Sequence, residues 1–135
     1  MAPLSEDVRT LFEGANIAHV ATLLPDGSPH SVAVWAGLTD GRPYFFTQAR
    51  SRKARNLRAD PRLAISVVDR SNPYFTGWVR GRVADTVEGE PALELIDRLS
   101  VKYTGEPFPM RSGTVYLIDA ERCGALKLPF RDQPE

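Results

Sequence analysis

Two turn signals constrain this chain more tightly than any other feature. Pro25-Asp26-Gly27-Ser28-Pro29 and Thr39-Asp40-Gly41-Arg42 separate three apolar stretches, Ile17 to Leu24, Ser31 to Leu38 and Tyr44 to Thr47. Asp-Gly tolerates the positive φ of a tight hairpin and proline cannot continue a ladder, so the stretches predict consecutive antiparallel strands. Further strands are expected over Leu63 to Val68, Thr76 to Val87 and Thr114 to Ile118, with Gly77 and Gly81 marking bulges or close backbone approach in the second of these.

Three helices complete the pattern. Ser5 caps a first one with Val8, Leu11 and Phe12 on one face and Gly14 at its stop. Ser51 caps a second, which Asp60-Pro61 ends. Pro91 begins a third, amphipathic through Leu95, Ile96, Leu99 and Tyr103, with Gly105 near its end. There is no internal repeat or linker, so the reading is one domain, residues 1–135, mainly β: a six-stranded antiparallel barrel with about three short helices.

Composition removes several function classes. Lysine plus arginine equals aspartate plus glutamate, 17 each, so no overall field gathers nucleic acid or an acidic membrane, and neither is expected as a partner. The lone Cys123 and the two histidines, His19 and His30, give no metal-ligand spacing, so no metal is expected. No apolar run reaches the roughly 20 residues of a spanning helix, and Met1 to Asp7 lacks the basic start and apolar centre of a signal peptide. The expected location is the cytoplasm.

Charge is nonetheless concentrated. Arg50, Arg52, Lys53, Arg55, Arg58 and Arg62 crowd around the second helix, with Asp60 the sole acid among them. A solvated face is the ordinary reading of such a run, and it serves for Arg55, Arg58 and Arg62. At the helix start more converges: unpaired N–H groups, the positive end of the dipole, the hydroxyls of Thr47 and Ser51, and the cations Arg52 and Lys53. That combination suits a phosphate.

Catalytic signatures are missing. The sequence has no Walker loop, dinucleotide fingerprint or nucleophile elbow, and no catalytic residue is identified. Chemistry, if present, would come from a cofactor for which the chain supplies pocket and orientation. The strand His30-Ser31-Val32-Ala33-Val34-Trp35 could lie flat against a planar ring, or be an ordinary core strand.

Taken in order, Phe46-Thr47, Ser51-Arg52-Lys53, Asn56-Leu57, Asp60-Pro61-Arg62 and Gly77-Trp78-Val79-Arg80-Gly81-Arg82-Val83 resemble the pyridoxamine-phosphate-oxidase-like split β-barrel flavoproteins over nearly the whole chain. The resemblance implies a homodimer that holds FMN or the deazaflavin coenzyme F-420 in interface clefts. It implies that Arg52 and Lys53 hold the cofactor phosphate, that Phe46, Thr47 and Ser51 frame it with Asn56 in the same set, that Ser31, Val32, Ala33, Val34 and Trp35 lie beneath the ring, and that Thr76 approaches it. Ser31 and Ala36 stand where true oxidases carry Arg and Lys, and no Arg and His substrate signature follows Ile118, so pyridoxamine phosphate is not the expected substrate. The short chain, the Trp35 strand and Tyr103-Thr104-Gly105 look more like the deazaflavin branch, in which reduced F-420, or failing that FMN, passes a hydride to an unsaturated small organic acceptor. A non-catalytic flavin or deazaflavin carrier or sensor is the alternative. Asp97, on the third helix, reads as remote from the site.

Overall fold

A computed structural model of the chain describes residues 3–130. Along the chain lie α1 (Glu6–Glu13), β1 (Ile17–Leu23), β2 (Pro29–Trp35), β3 (Gly37–Thr39), β4 (Arg42–Thr47), α2 (Arg52–Ala59), β5 (Arg62–Val68), β6 (Phe75–Val87), α3 (Gly89–Thr104) and β7 (Thr114–Lys127). The strands form one antiparallel sheet in the order β2-β1-β5-β6-β7-β4-β3.

Connectivity dictates the shape of this sheet. Its edge strands β2 and β3 are consecutive in the chain, joined through Ala36 alone. Trp35 and Gly37 are at most about 7 Å apart along the backbone, whereas a flat sheet of this many strands would hold its edges roughly 29 Å apart. The sheet therefore curls until its edges meet, as a split barrel.

The same junction corrects the expected strand count from six to seven. Ser31 to Leu38 is two strands, because the chain leaves one edge of the sheet and joins the other at Ala36. Side chains of α3 take over the backbone pairing there. The Ala36 N–H donates to Tyr103 Oη at 3.2 Å, and the Ala36 carbonyl accepts from Lys102 Nζ at 2.6 Å and Tyr103 Oη at 3.2 Å. A bend whose polar groups are paired in this way costs little. The last strand also runs past the expected Ile118 to Lys127, since it follows β6 along its length from Val87↔Val115 to Phe75↔Lys127.

Local signals act as their chemistry requires. Asp40 and Gly41, at φ 50° and 76°, turn β3 into β4. At Gly81 the β6–β7 register shifts, and a Cβ there would lie 2.0 Å from the Asp119 carbonyl oxygen, so only glycine fits the bulge. Ser5 accepts from the Val8 N–H to cap α1, and Ser51 from the Ala54 N–H to cap α2.

Alternation along the strands divides the apolar residues between two cores. Val8, Leu11 and Phe12 of α1 and Ala54 and Leu57 of α2 plug the barrel against Val20, Ile65, Val79 and Ile118. On β4, Phe45 points into this core while Tyr44 and Phe46 point outward to α3. Ile96 and Leu99 of α3 pack there against Tyr44 and Val115, each contributing about 1.5–3 kcal/mol by burial. No helix among the described residues is long and apolar enough to cross a membrane.

Candidate functional site

Where β2 ends beside the end of β4, the outward face of the barrel carries a cleft of about 280 Å³. Ala33, Val34 and Trp35 of β2, Ile17 of β1, Phe46 of β4, Lys53 of α2 and Phe108 of the loop after α3 line it. Its aromatic wall is rigidly braced. Tyr103 stacks on Trp35 at a centroid distance of 5.3 Å and 7° between planes, and Phe108 meets Phe46 edge-on at 5.0 Å and Trp35 edge-on at 6.1 Å.

Behind Trp35 the end of α3 is locked in place. Lys102 Nζ donates to the carbonyls of Phe12 and Ala36, and the Tyr103 hydroxyl donates to the Asn16 carbonyl. Burial lowers the Lys102 pKa to about 8. The Tyr103 proton is committed to a carbonyl and its pKa is raised by burial. Tyr44 donates to the Leu95 carbonyl, and burial raises its pKa to about 12. Neither phenol is poised to release a proton into the cleft.

The polar end of the cleft is the start of α2. Thr47 Oγ1 donates to Ser51 Oγ at 2.9 Å, which also accepts the Ala54 N–H at 3.1 Å. The N–H groups of Arg52 and Lys53, in the first turn, have no carbonyl to bond within the helix. Arg52 Nε donates to Asn56 Oδ1 at 3.0 Å, which steadies the guanidinium while leaving its terminal nitrogens available. Lys53 is half-buried, and burial lowers its pKa. It has neither an ion-pair nor a hydrogen-bond partner among the described residues. A cation desolvated without a counter-charge at the mouth of an apolar cleft would gain from an anion placed beside it.

Of the twelve residues selected from the sequence, Lys53, Phe46, Ala33, Val34 and Trp35 line this one cleft. Thr47, Ser51 and Arg52 adjoin it through the helix start. Asn56 is buried on the inner side of α2, where its amide donates to Thr22 Oγ1 at 3.0 Å and ties the helix to β1. Val32 packs against the barrel core, and Ser31 is exposed further along β2. Thr76 shares a cross-strand row with Trp35 but lies three strands away, roughly 14 Å. Two of the outlying arginines are engaged elsewhere: Arg58 Nη1 donates to the Ala49 carbonyl at 3.1 Å, and Arg62 pairs with Asp60 at 2.7 Å.

Two residues near the site escape sequence reasoning. Phe108 lies in a loop without periodicity, although a large apolar residue between Pro107 and Pro109 is a hint that something must cover it. Asp97 is not remote from the site: it accepts the Phe108 N–H at 3.0 Å and both terminal nitrogens of Arg111, at 2.8 and 3.0 Å, and these bonds hold its pKa below the usual carboxylate range.

Comparison with known proteins places these features in context. A family model described as pyridoxamine 5'-phosphate oxidase matches residues 4–125. A solved structure named F-420 reductase is 30% identical, with a TM-score of 0.78 over 90% of this chain and 98% of that one. The conserved hypothetical protein Rv2991 from Mycobacterium tuberculosis is 26% identical, with a TM-score of 0.79 over 98% of this chain and 93% of its own. A heme binding protein from Mycobacterium smegmatis, 24% identical with a TM-score of 0.70 over 97% of this chain and 57% of its own, shares the fold. No curated protein matches the chain significantly in sequence.

Proposed function

The chain belongs to the pyridoxamine 5'-phosphate oxidase family, and from that premise we propose that it is an oxidoreductase that binds reduced coenzyme F-420, or in its place FMN, and delivers a hydride to an unsaturated small organic acceptor. One observation carries the reading. Lys53 is a half-buried cation with no partner among the described residues, set between an apolar aromatic cleft and a helix N-terminus. The donors fit a phosphate: Lys53 Nζ, the Arg52 guanidinium, the first N–H groups of α2 and the Ser51 hydroxyl, whose oxygen Thr47 Oγ1 holds in place. The lining fits a planar ring, with Trp35, Phe46 and Phe108 forming one mutually packed aromatic surface and Ile17, Ala33 and Val34 completing the apolar lining. The preference for F-420 over FMN is supported by the 30% identical F-420 reductase.

The cofactor would supply the hydride, and the chain's residues would bind, orient and exclude water. Trp35, fixed by Tyr103 behind it, holds a rigid surface against which donor and acceptor carbons can be aligned, and apolar neighbours keep water from that contact. Since the phenols of Tyr44 and Tyr103 are committed to carbonyls, neither supplies the proton that completes the acceptor's reduction. No nucleophile is required.

The same proposal includes a second copy of the chain. Ile17, Val68, Trp78 and Leu126 are exposed on the outer face of β1, β5, β6 and β7, the face that α3 leaves uncovered, and Ile17 also borders the cleft. Burying that face, where these apolar side chains alternate with His19, Ser66 and Thr76, in a homodimer would close the cleft's open side. The whole chain acts as one such unit, in the cytoplasm, with no nucleic-acid or membrane partner.

Titration of the purified protein with F-420 and separately with FMN, followed by ligand fluorescence at fixed salt, tests the reading. Tight binding of either supports the site and its preference identifies the cofactor; binding of neither refutes it. Steady turnover of an acceptor with the reduced ligand separates an enzyme from a carrier or sensor. Light scattering over a dilution series reads the dimer, and a monomer at all concentrations would overturn that part.

A further inference from the structure

The segment from Gly105 to Gly113 has no regular structure, yet beyond Glu106, which the Ser100 and Thr104 hydroxyls hold to the end of α3, it is fastened at two further points by side chains. The first tie is a clasp around Phe108. Asp97 on α3 accepts the Phe108 N–H and the Arg111 guanidinium bidentately, while Arg111 Nη1 also donates to the Phe108 carbonyl at 2.9 Å. Both backbone polar groups of Phe108 are therefore held by one ion pair. The second tie joins Ser112 to Gln48, just beyond β4, through bonds of 2.8 and 3.2 Å. Pro107 and Pro109 restrict the backbone on either side of Phe108, so its ring has little freedom once the clasp forms.

We propose that Asp97 is a positioning residue that, through Arg111 and the Phe108 backbone, holds the Phe108 ring as a wall of the cleft and so sets which planar ligands enter it. This rests on the reading of the cleft as the ring-binding site. The clasp is half-exposed, with side chains 51% and 29% accessible, a setting in which an ion pair adds little to global stability. Its consequence is local: it decides where one aromatic ring stands. Phe108 lines the cleft and meets both Trp35 and Phe46 edge-on, so releasing it reshapes the cleft without disturbing the barrel core. Apolar walls discriminate by fit. The choice between ring systems of similar size then depends on this residue more than on the phosphate donors, which serve any phosphorylated ligand equally.

A double-mutant cycle tests this, with Asp97→Asn, Phe108→Ala and the double variant titrated with FMN and with F-420. Asp97→Asn is expected to weaken the tighter ligand by about tenfold and to narrow the ratio between the two, and to have no further effect once Phe108 is alanine. Equal losses in both backgrounds would overturn the proposal, because Asp97 would then act independently of Phe108. Hydrogen exchange on the ligand-free protein provides an independent readout. Exchange at the Phe108 amide should rise in Asp97→Asn while the β5 and β6 amides keep their protection. Unchanged exchange there refutes the clasp even if both ligands bind. Faster exchange in a protein that binds neither ligand refutes the cofactor reading, and with it the selectivity proposed here, while leaving the anchoring of the loop established.

Discussion

Replacing Lys53 by methionine removes the ammonium and keeps most of the aliphatic stem, so it isolates the charge. In the ligand-free protein this cation has no acceptor among the described residues, and folding takes part of its hydration away. A phosphate at the start of α2 would restore what burial removes. The charge-assisted bond is worth about 1.5–3 kcal/mol, which weakens ligand binding by roughly ten- to 150-fold when it is lost. Stability should move the other way, because a half-desolvated charge without a partner opposes folding; the ligand-free thermal midpoint of Lys53→Met is expected to hold or rise. Fluorescence titration and thermal melting measure the two effects separately. The pH profile adds a signature: burial makes Lys53 release its proton below the ordinary lysine value, so affinity should decline as pH rises through that depressed pKa, and the decline should vanish in the variant. Arg58→Met is the control, its guanidinium being bonded to the Ala49 carbonyl. Lys53→Met binding within about twofold of the parent would refute the reasoning, since no charge-assisted bond is that weak.

Other perturbations reach the supporting framework. Tyr103→Phe leaves the Ala36 N–H and the Asn16 carbonyl without the phenol and should cost about 1–3 kcal/mol in urea denaturation, while a loss below about 0.5 kcal/mol would show that the bend does not need it. Lys102 binds its proton less tightly when folded, at about 8 against 10.5, so between these values the unfolded chain carries more protons and stability rises with pH, the gain being absent below pH 8. Lys102→Met should flatten that part of the profile relative to the parent protein, and parallel profiles would refute it. Gly81→Ala drives a Cβ into the Asp119 carbonyl and should destabilise by about 3 kcal/mol or more, whereas an unchanged urea midpoint would mean the bulge can relax.

Much of the framework is legible in the chain because its signals are local. Ser5 and Ser51 cap helices within three residues of themselves, and Asp40-Gly41 makes its turn alone. The polar end of the cleft is legible for the same reason: Thr47, Ser51, Arg52 and Lys53 meet within a single strand-to-helix junction. Ala36 shows the limit. Apart from the adjacent Gly37, nothing near it marks a strand break, and the side chains that make one possible are 66 and 67 positions away. A one-residue passage between sheet edges reads as an uninterrupted strand until Lys102 and Tyr103 are seen beneath it.

The sequence by itself determined the three helices, most of the strands, their antiparallel class and the basic helix start, since each follows from backbone sterics and hydrogen-bonding needs satisfied within a few residues. Tertiary structure alone decided which residues share the cleft. Curling of the sheet brings Trp35 at one edge to Phe46 beside the other, and α3 delivers Phe108 through a clasp between residues 14 apart. It also leaves Thr76 three strands away and turns Asn56 inward. The physical reason is that burial and edge closure are properties of the assembled sheet: the face a side chain occupies follows from strand alternation, but what stands opposite that face is settled only when distant strands and helices close on one another.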